Sequence, residues 1–324
     1  MRNFRIFVTV FMMAFASNTL LSQESPSKVI KVLIVDGQNN HEQWPKITHM
    51  LKTEMENTGL FTVEVARSAF TWKGEEFISE FPIADLPETE AKEEPETDPN
   101  YSPEFSKYDV VVCNFGWNAA PWPDETQTKF EEYIENGGGL VVFHAADNSF
   151  PEWEAYNQMI GLGGWGDRTE KDGPYVYYAN DGELIEDNSP GKAGAHGPQS
   201  EYQIEIRKEH PITKDMPKVW LHTKDELYNR LRGPAENMAV LATAYSDPKN
   251  KGTDRHEPAL MTLEYGEGLI FHNIMGHIDY SVACVGFLTT MLRGTEWAAT
   301  GQVTQAIPED FPTADETRSR EFEK

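Results

Sequence analysis

Hydrophobic positions along the chain fall into short uninterrupted runs and longer periodic stretches. The runs VIKVLIVDG, YDVVVCNFG and GGGLVVFHAAD are β-branched and lack alternation, while residues 43–57 and 124–136 read as helices between strands. Strands without alternation are covered on both faces, and their interleaving with helical segments predicts a parallel sheet. The expected class is therefore α/β, a mostly parallel sheet with helices on both faces. Downstream, EYQIEIR alternates, MAVLATAY, PALMTLEYG and GLIFHN follow as strands, and SVACVGFLTTMLRG closes the pattern as a helix.

Two stretches break this rhythm. Residues 73–106 hold eleven acids between Glu75 and Glu104 and little apolar periodicity, so a solvated acidic loop is expected there. Residues 165–200 are rich in Gly, Asp, Tyr and Pro, which predicts a long loop or lid with a small hairpin around PYVYYANDGELIE. The tail, 306–324, is polar and expected to fray. No internal repeat is visible, and 29–305 is expected to form a single domain.

The first residues add a targeting segment. Arg2 and Arg5 precede an apolar stretch from Ile6 to Ala16, followed by small and polar residues. That is the layout of a signal peptide over residues 1–23, too short in its apolar part for a stable span, and it predicts a periplasmic or secreted protein with no integral membrane span. The chain carries 28 Lys and Arg against 53 Asp and Glu, a net charge of -25. Such acidity excludes nucleic-acid partners, which need a basic face. Cys113 and Cys284 sit in apolar runs and are expected as buried small hydrophobes without catalytic use.

Ligands of open α/β sheets bind outside the carboxyl ends of the strands. Those ends read DGQNNHEQW, NFGWNAAPW, HAADNS and HNIMGHIDY, and they deliver Asn39, His41, Trp117, His144, Asp147 and His277. A further imidazole and carboxylates lie in WLHTKDELY, at His222, Asp225 and Glu226. His49 and His210 fit ordinary helix and turn positions. The turn after GGGLVVFH carries Ala145 and Ala146, so a nucleophilic elbow lacks its Ser or Cys. The glycines at 137–139 precede a strand rather than open a helix, which excludes a phosphate loop. The histidines permit a divalent metal, although no HExxH spacing occurs, and no other cofactor is indicated. General acid/base chemistry remains, with Trp44, Trp117, Trp165, Tyr175 and Tyr228 available as a sugar platform.

The ordered series KVLIVDGQNNHEQW, YDVVVCNFG, GGGLVVFHAADNSF with WEAYNQMIGLGGW, EHPIT, DELY and GEGLIFHNIMGH resembles the ThuA-like (trehalose utilisation) family. The resemblance implies a flavodoxin-like, class I glutamine amidotransferase-like fold and a part in disaccharide breakdown, on glycosides or on 3-keto-glycosides made by a partner sugar oxidoreductase. Position by position it points to His41, His144, Asp147, His196, Asp225, Glu226 and His277. His196 would stand in for a histidine displaced by a long insert. Ala145 and Ala146 separate the chain from cysteine-dependent amidotransferases. The combined expectation is an exported enzyme that cleaves, eliminates or isomerises a small carbohydrate. His144 and His277 would be acid/base groups or metal ligands, and Glu226 or Asp225 the second acid/base partner. His41, Asn39, Trp117, Asp147 and His196 would bind substrate. A non-catalytic sugar-binding protein and a metal-dependent hydrolase of a non-sugar substrate are the alternatives.

Overall fold

The first strand, β1 (Ile30–Gln38), is buried at every position except Lys31, as an uninterrupted apolar run demands of a strand covered on both faces. The structure is a computed structural model that describes residues 29–322. The expected signal peptide lies outside the described residues. After β1 come α1 (Trp44–Asn57), β2 (Phe61–Trp72), α2 (Glu75–Glu80), β3 (Glu90–Lys92) and β4 (Val110–Cys113). Next are α3 (Asp124–Glu135), β5 (Gly139–Phe143), α4 (Glu154–Ile160), β6 (Tyr175–Tyr178), β7 (Leu184–Asp187), β8 (Ala195–His196) and β9 (Ser200–Ile206). The chain ends with β10 (Val219–Asp225), β11 (Tyr228–Asn229), β12 (Met238–Ser246), β13 (Arg255–Tyr265), β14 (Gly268–Asn273), α5 (Asp279–Val282) and α6 (Val285–Thr300).

Ten of these strands form one path, β10-β9-β12-β13-β14-β5-β4-β1-β2-β3, with the hairpin β6-β7 paired onto β13 and a separate ribbon of β11 with β8. From β14 to β3 every pairing is parallel, and from β14 to β10 every pairing is antiparallel. This arrangement has a consequence for chemistry. Four successive reversals bring β10 back to the direction of β14, so the carboxyl end of β10 lies on the same edge as those of β1, β4, β5 and β14.

Two segments expected to be loose are docked. Within 73–106, β3 extends the sheet beside β2, while Phe81, Tyr101 and Phe105 are buried. The Asp98 carboxylate accepts the Ala69 amide at 2.8 Å, and the Gln38 side chain donates to the Glu96 carbonyl at 2.7 Å. A few large apolar residues spaced among many acids anchor the segment, a signal that averaged composition hides. The tail is not frayed through 322 either: Phe311 is buried, Leu221 donates to the Thr313 carbonyl and Val285 to that of Arg318. Unsatisfied backbone groups on edge strand β10 and at the start of α6 find partners there. Cys113 and Cys284 are free and buried, as expected.

One charged pair sits inside this core. Asp36, at the end of β1, is fully buried, and Arg67 of β2 grips it through Nε at 2.9 Å and Nη2 at 2.8 Å while Thr48 donates at 2.7 Å. Breaking a buried pair from one side strands the other charge, which costs about 3–5 kcal/mol. Arg67→Met is expected to lower unfolding free energy by that amount in urea denaturation; an unchanged midpoint would show that the pair carries no net stability.

Candidate functional site

Five strand ends meet at the carboxyl edge, and the loops leaving four of them carry the side chains that converge. His41 follows β1, His144 follows β5, Glu226 follows β10 and His277 follows β14; one ligand-capable atom from each lies within 4.8 Å of all the others. The rings of His41 and His277 are 4.4 Å apart, those of His41 and His144 5.1 Å, and those of His144 and His277 5.2 Å. Glu226 Oε1 stands 3.7 Å from His277 Nε2, and its Oε2 stands 3.9 Å from His144 Nε2. His196, on β8, brings its Nδ1 to 3.6 Å from the same carboxylate. The long insert therefore places this imidazole beside the cluster.

His144 holds a φ of +42°, a left-handed conformation rare for a residue with a side chain. Strain of this kind persists where the surroundings over-determine it, commonly at functional sites. Its Nδ1 donates to the Ile274 carbonyl at 3.0 Å, which leaves Nε2 as the acceptor facing the Tyr228 hydroxyl at 2.9 Å. Asn40 is also oriented, because its Oδ1 accepts the Trp117 amide, so its Nδ2 donates to His41 Nε2 at 3.1 Å. On the other side Gln199 meets His277 Nδ1 at 2.8 Å and is held in turn by the Tyr280 hydroxyl.

Burial sets the charge state. Desolvation drives the His41 pKa far below its ordinary value, with His144 and His277 adding repulsion. The same cause lowers His144 to about 3 and lowers His277, while burial raises the pKa of Glu226. Three neutral imidazoles thus surround a carboxylate moved toward neutral pH, where proton donors and acceptors are most effective.

Several expected site residues take other parts. Asp147 is fully buried and pairs with His272 Nε2 at 3.3 Å, out of reach of any substrate hydroxyl. Asn39 is buried too; its Oδ1 accepts the His41 amide at 3.0 Å and its Nδ2 donates to the Asn114 carbonyl at 3.3 Å, so it shapes the loop instead of binding substrate. Asp225 has no exposed surface and its oxygens are all engaged by protein donors, which removes it from direct acid/base work. Trp44 is buried with its indole N–H on the Lys73 carbonyl, and Tyr175 is packed on Arg232, so neither is a sugar platform. Trp117 stays 42% exposed at the rim, and Trp165 packs on His196 and Tyr228. Tyr228 is a hydrogen-bonding partner of His144 more than a platform. Gln199 and Tyr280 were not foreseen, since a lone Gln or Tyr has no sequence signature. A cavity of about 740 Å³ around Tyr108, Lys129 and Tyr133 lies at the opposite edge and touches none of these groups.

The family described as ThuA, trehalose utilisation, matches residues 31–298. The chain belongs to this family. A ThuA-like protein of Parabacteroides merdae is 41% identical, with a TM-score of 0.78 over 90% of this chain and 98% of that one. A ThuA-like protein of Bacteroides uniformis shares the fold at 17% identity and a TM-score of 0.54, over 87% of this chain and 96% of that one. No curated protein matches. Membership implies a role in sugar metabolism.

The neutral imidazoles fix a pH dependence. A group whose folded pKa lies below its unfolded value costs nothing above the unfolded value and destabilises as pH falls from there toward the folded one. For His144 that window runs from 6.5 down to about 3. At pH 5 this one residue is expected to cost about 2 kcal/mol. Urea midpoints measured from pH 7 to 5 should fall, and His144→Gln should flatten the fall; equal slopes in both proteins would contradict the buried neutral ring.

Proposed function

We propose that the chain is an exported carbohydrate-active enzyme that cleaves, eliminates or isomerises a neutral glycoside or keto-sugar at the His41, His144, Glu226 and His277 cluster. The observation that carries this reading is the convergence of the four side chains on one point at the sheet edge where α/β proteins bind ligands. The assignment of a sugar rests on family membership. The four groups include no Arg or Lys, so they match neutral hydroxyls and carbonyls better than a sugar phosphate. His144, whose Nε2 lone pair accepts the Tyr228 hydroxyl, is the proton acceptor through that hydroxyl. Glu226 is the proton donor, its carboxyl held toward the neutral form by burial. His41 and His277 orient hydroxyls, and Trp117 at the rim offers an apolar face to a sugar ring. The amino-terminal segment supports export to the periplasm or beyond, where such a substrate would be met.

The same donor set favours a second component, a bound divalent cation. Three imidazoles held neutral and one carboxylate are the ligands that zinc and similar ions take, at arms of about 2.0–2.2 Å. Donor separations of up to 4.8 Å close to such a shell by side-chain rotation. When bound, the cation would polarise a carbonyl or lower the pKa of a water.

The purified protein should turn over trehalose, another glucoside or a 3-keto form of one, measured with and without chelator. Glu226→Gln and His144→Asn are each expected to cut the rate at least about 100-fold. Unchanged rates in both would remove the site assignment, and binding without turnover would instead favour a sugar-binding protein. Chelator-insensitive turnover together with no metal in elemental analysis would remove the cation.

A further inference from the structure

Beneath the cluster lies a carboxylate that the proposed chemistry does not use. Asp225, the last residue of β10, is fully buried, yet its Oδ1 accepts the amides of Glu226 at 2.8 Å and His277 at 3.2 Å. Its Oδ2 accepts the Gly276 amide at 2.8 Å and His222 Nε2 at 2.8 Å. One side chain therefore ties together two segments 52 residues apart in sequence, the one that presents Glu226 and the one that presents His277. No apolar residue could do this, because the turn's donors need an acceptor. The turn cannot simply relax to satisfy them. Gly276 sits at φ +110°, and a Cβ there would come within 2.8 Å of the Phe287 ring.

His222 completes the arrangement. It is wholly buried three residues earlier on β10, where an irregularity in the register between the two lets both side chains meet, and its imidazole donates to Asp225. Burial alone would lower its pKa, but Cys284 and Asp225 reverse the effect and raise it to about 9, so it is a cation at neutral pH. A buried ion pair is a poor source of stability compared with packed apolar residues, which makes its geometric effect the feature to explain. Fixing reacting groups through hydrogen-bonded supports is the known use of such partners.

We infer that Asp225 and His222 are positioning residues that lock the Gly276–His277 turn to the end of β10 and so set the spacing between Glu226 and His277. The inference rests on the reading of the cluster as the reactive centre, although its mechanical part stands apart from any chemistry. His222→Leu removes the support and leaves Asp225 with backbone donors only. His222→Gln keeps a donor of similar reach. Met55→Ala, a cavity in the core near β1, serves as a control for lost stability.

Two readouts decide it in the full chain. Amide hydrogen exchange of the Gly276 and His277 positions should quicken at least tenfold in His222→Leu and return toward the wild-type rate in His222→Gln, with Met55→Ala unchanged at that turn. Cobalt(II) affinity, or turnover where a substrate has been found, should fall by 10–100-fold in the same order. Equal exchange in all four proteins would overturn the positioning inference and leave the proposed function standing. Quickened exchange with unchanged affinity and turnover would reduce the pair to a structural clasp and overturn it as well. If the wild-type protein takes neither cobalt nor any sugar, the proposed function fails, and the exchange rates alone decide whether the clamp exists.

Discussion

The structure turns on the desolvation of three imidazoles around a single carboxylate. Water is excluded from the buried His144 and partly withdrawn from His41, so adding a proton to either ring would place charge in a desolvated site next to further rings. The rings must stay neutral, and a neutral ring has one N–H and one lone pair. What each ring can do then depends on which nitrogen a neighbour claims. The Ile274 carbonyl claims Nδ1 of His144, and that single backbone contact determines that the lone pair lies on Nε2, where it accepts the Tyr228 hydroxyl.

Around this centre the fold places buried polar pairs under the strand ends. Arg67 neutralises Asp36 below the β1 loop, His272 meets Asp147 below the β5 turn, and His222 meets Asp225 below the β10 and β14 loops. Each pair fills a place where a sheet edge would otherwise bury backbone amides or a lone charge. The acidity of the chain lies elsewhere, and its densest stretch is the 73–106 segment, with eleven acids between Glu75 and Glu104. Surface charge and site chemistry are separate features of this molecule.

The sheet was legible from the sequence because its strands are long apolar runs whose burial leaves little alternative. His41, His144 and His277 were legible for a related reason: each follows an apolar strand of the pattern, whereas Glu226 was reached through the DELY motif of the family resemblance. That β10 returns to the same edge through four antiparallel pairings was not visible, since strand order in the antiparallel half leaves no periodic trace. Asp225 and Glu226 are adjacent acids that look alike in sequence, and only burial separates the support from the reacting group. Asp147 and Asn39 were misjudged on the same ground, because a polar residue at a strand end can face the crevice or the backbone beneath it. The docked tail and the strand within the acidic segment were hidden because a few anchoring aromatics among many charges do not alter average composition.

The most direct test of this account is an NMR titration of the imidazole Cε1 protons, assigned by single substitution, from pH 8 down to pH 4.5. The account predicts that His41 and His144 do not titrate in this range. Midpoints for His41 and His144 near 6.5 would mean that the rings are solvated and charged in the folded protein, and the site described here would not exist in solution.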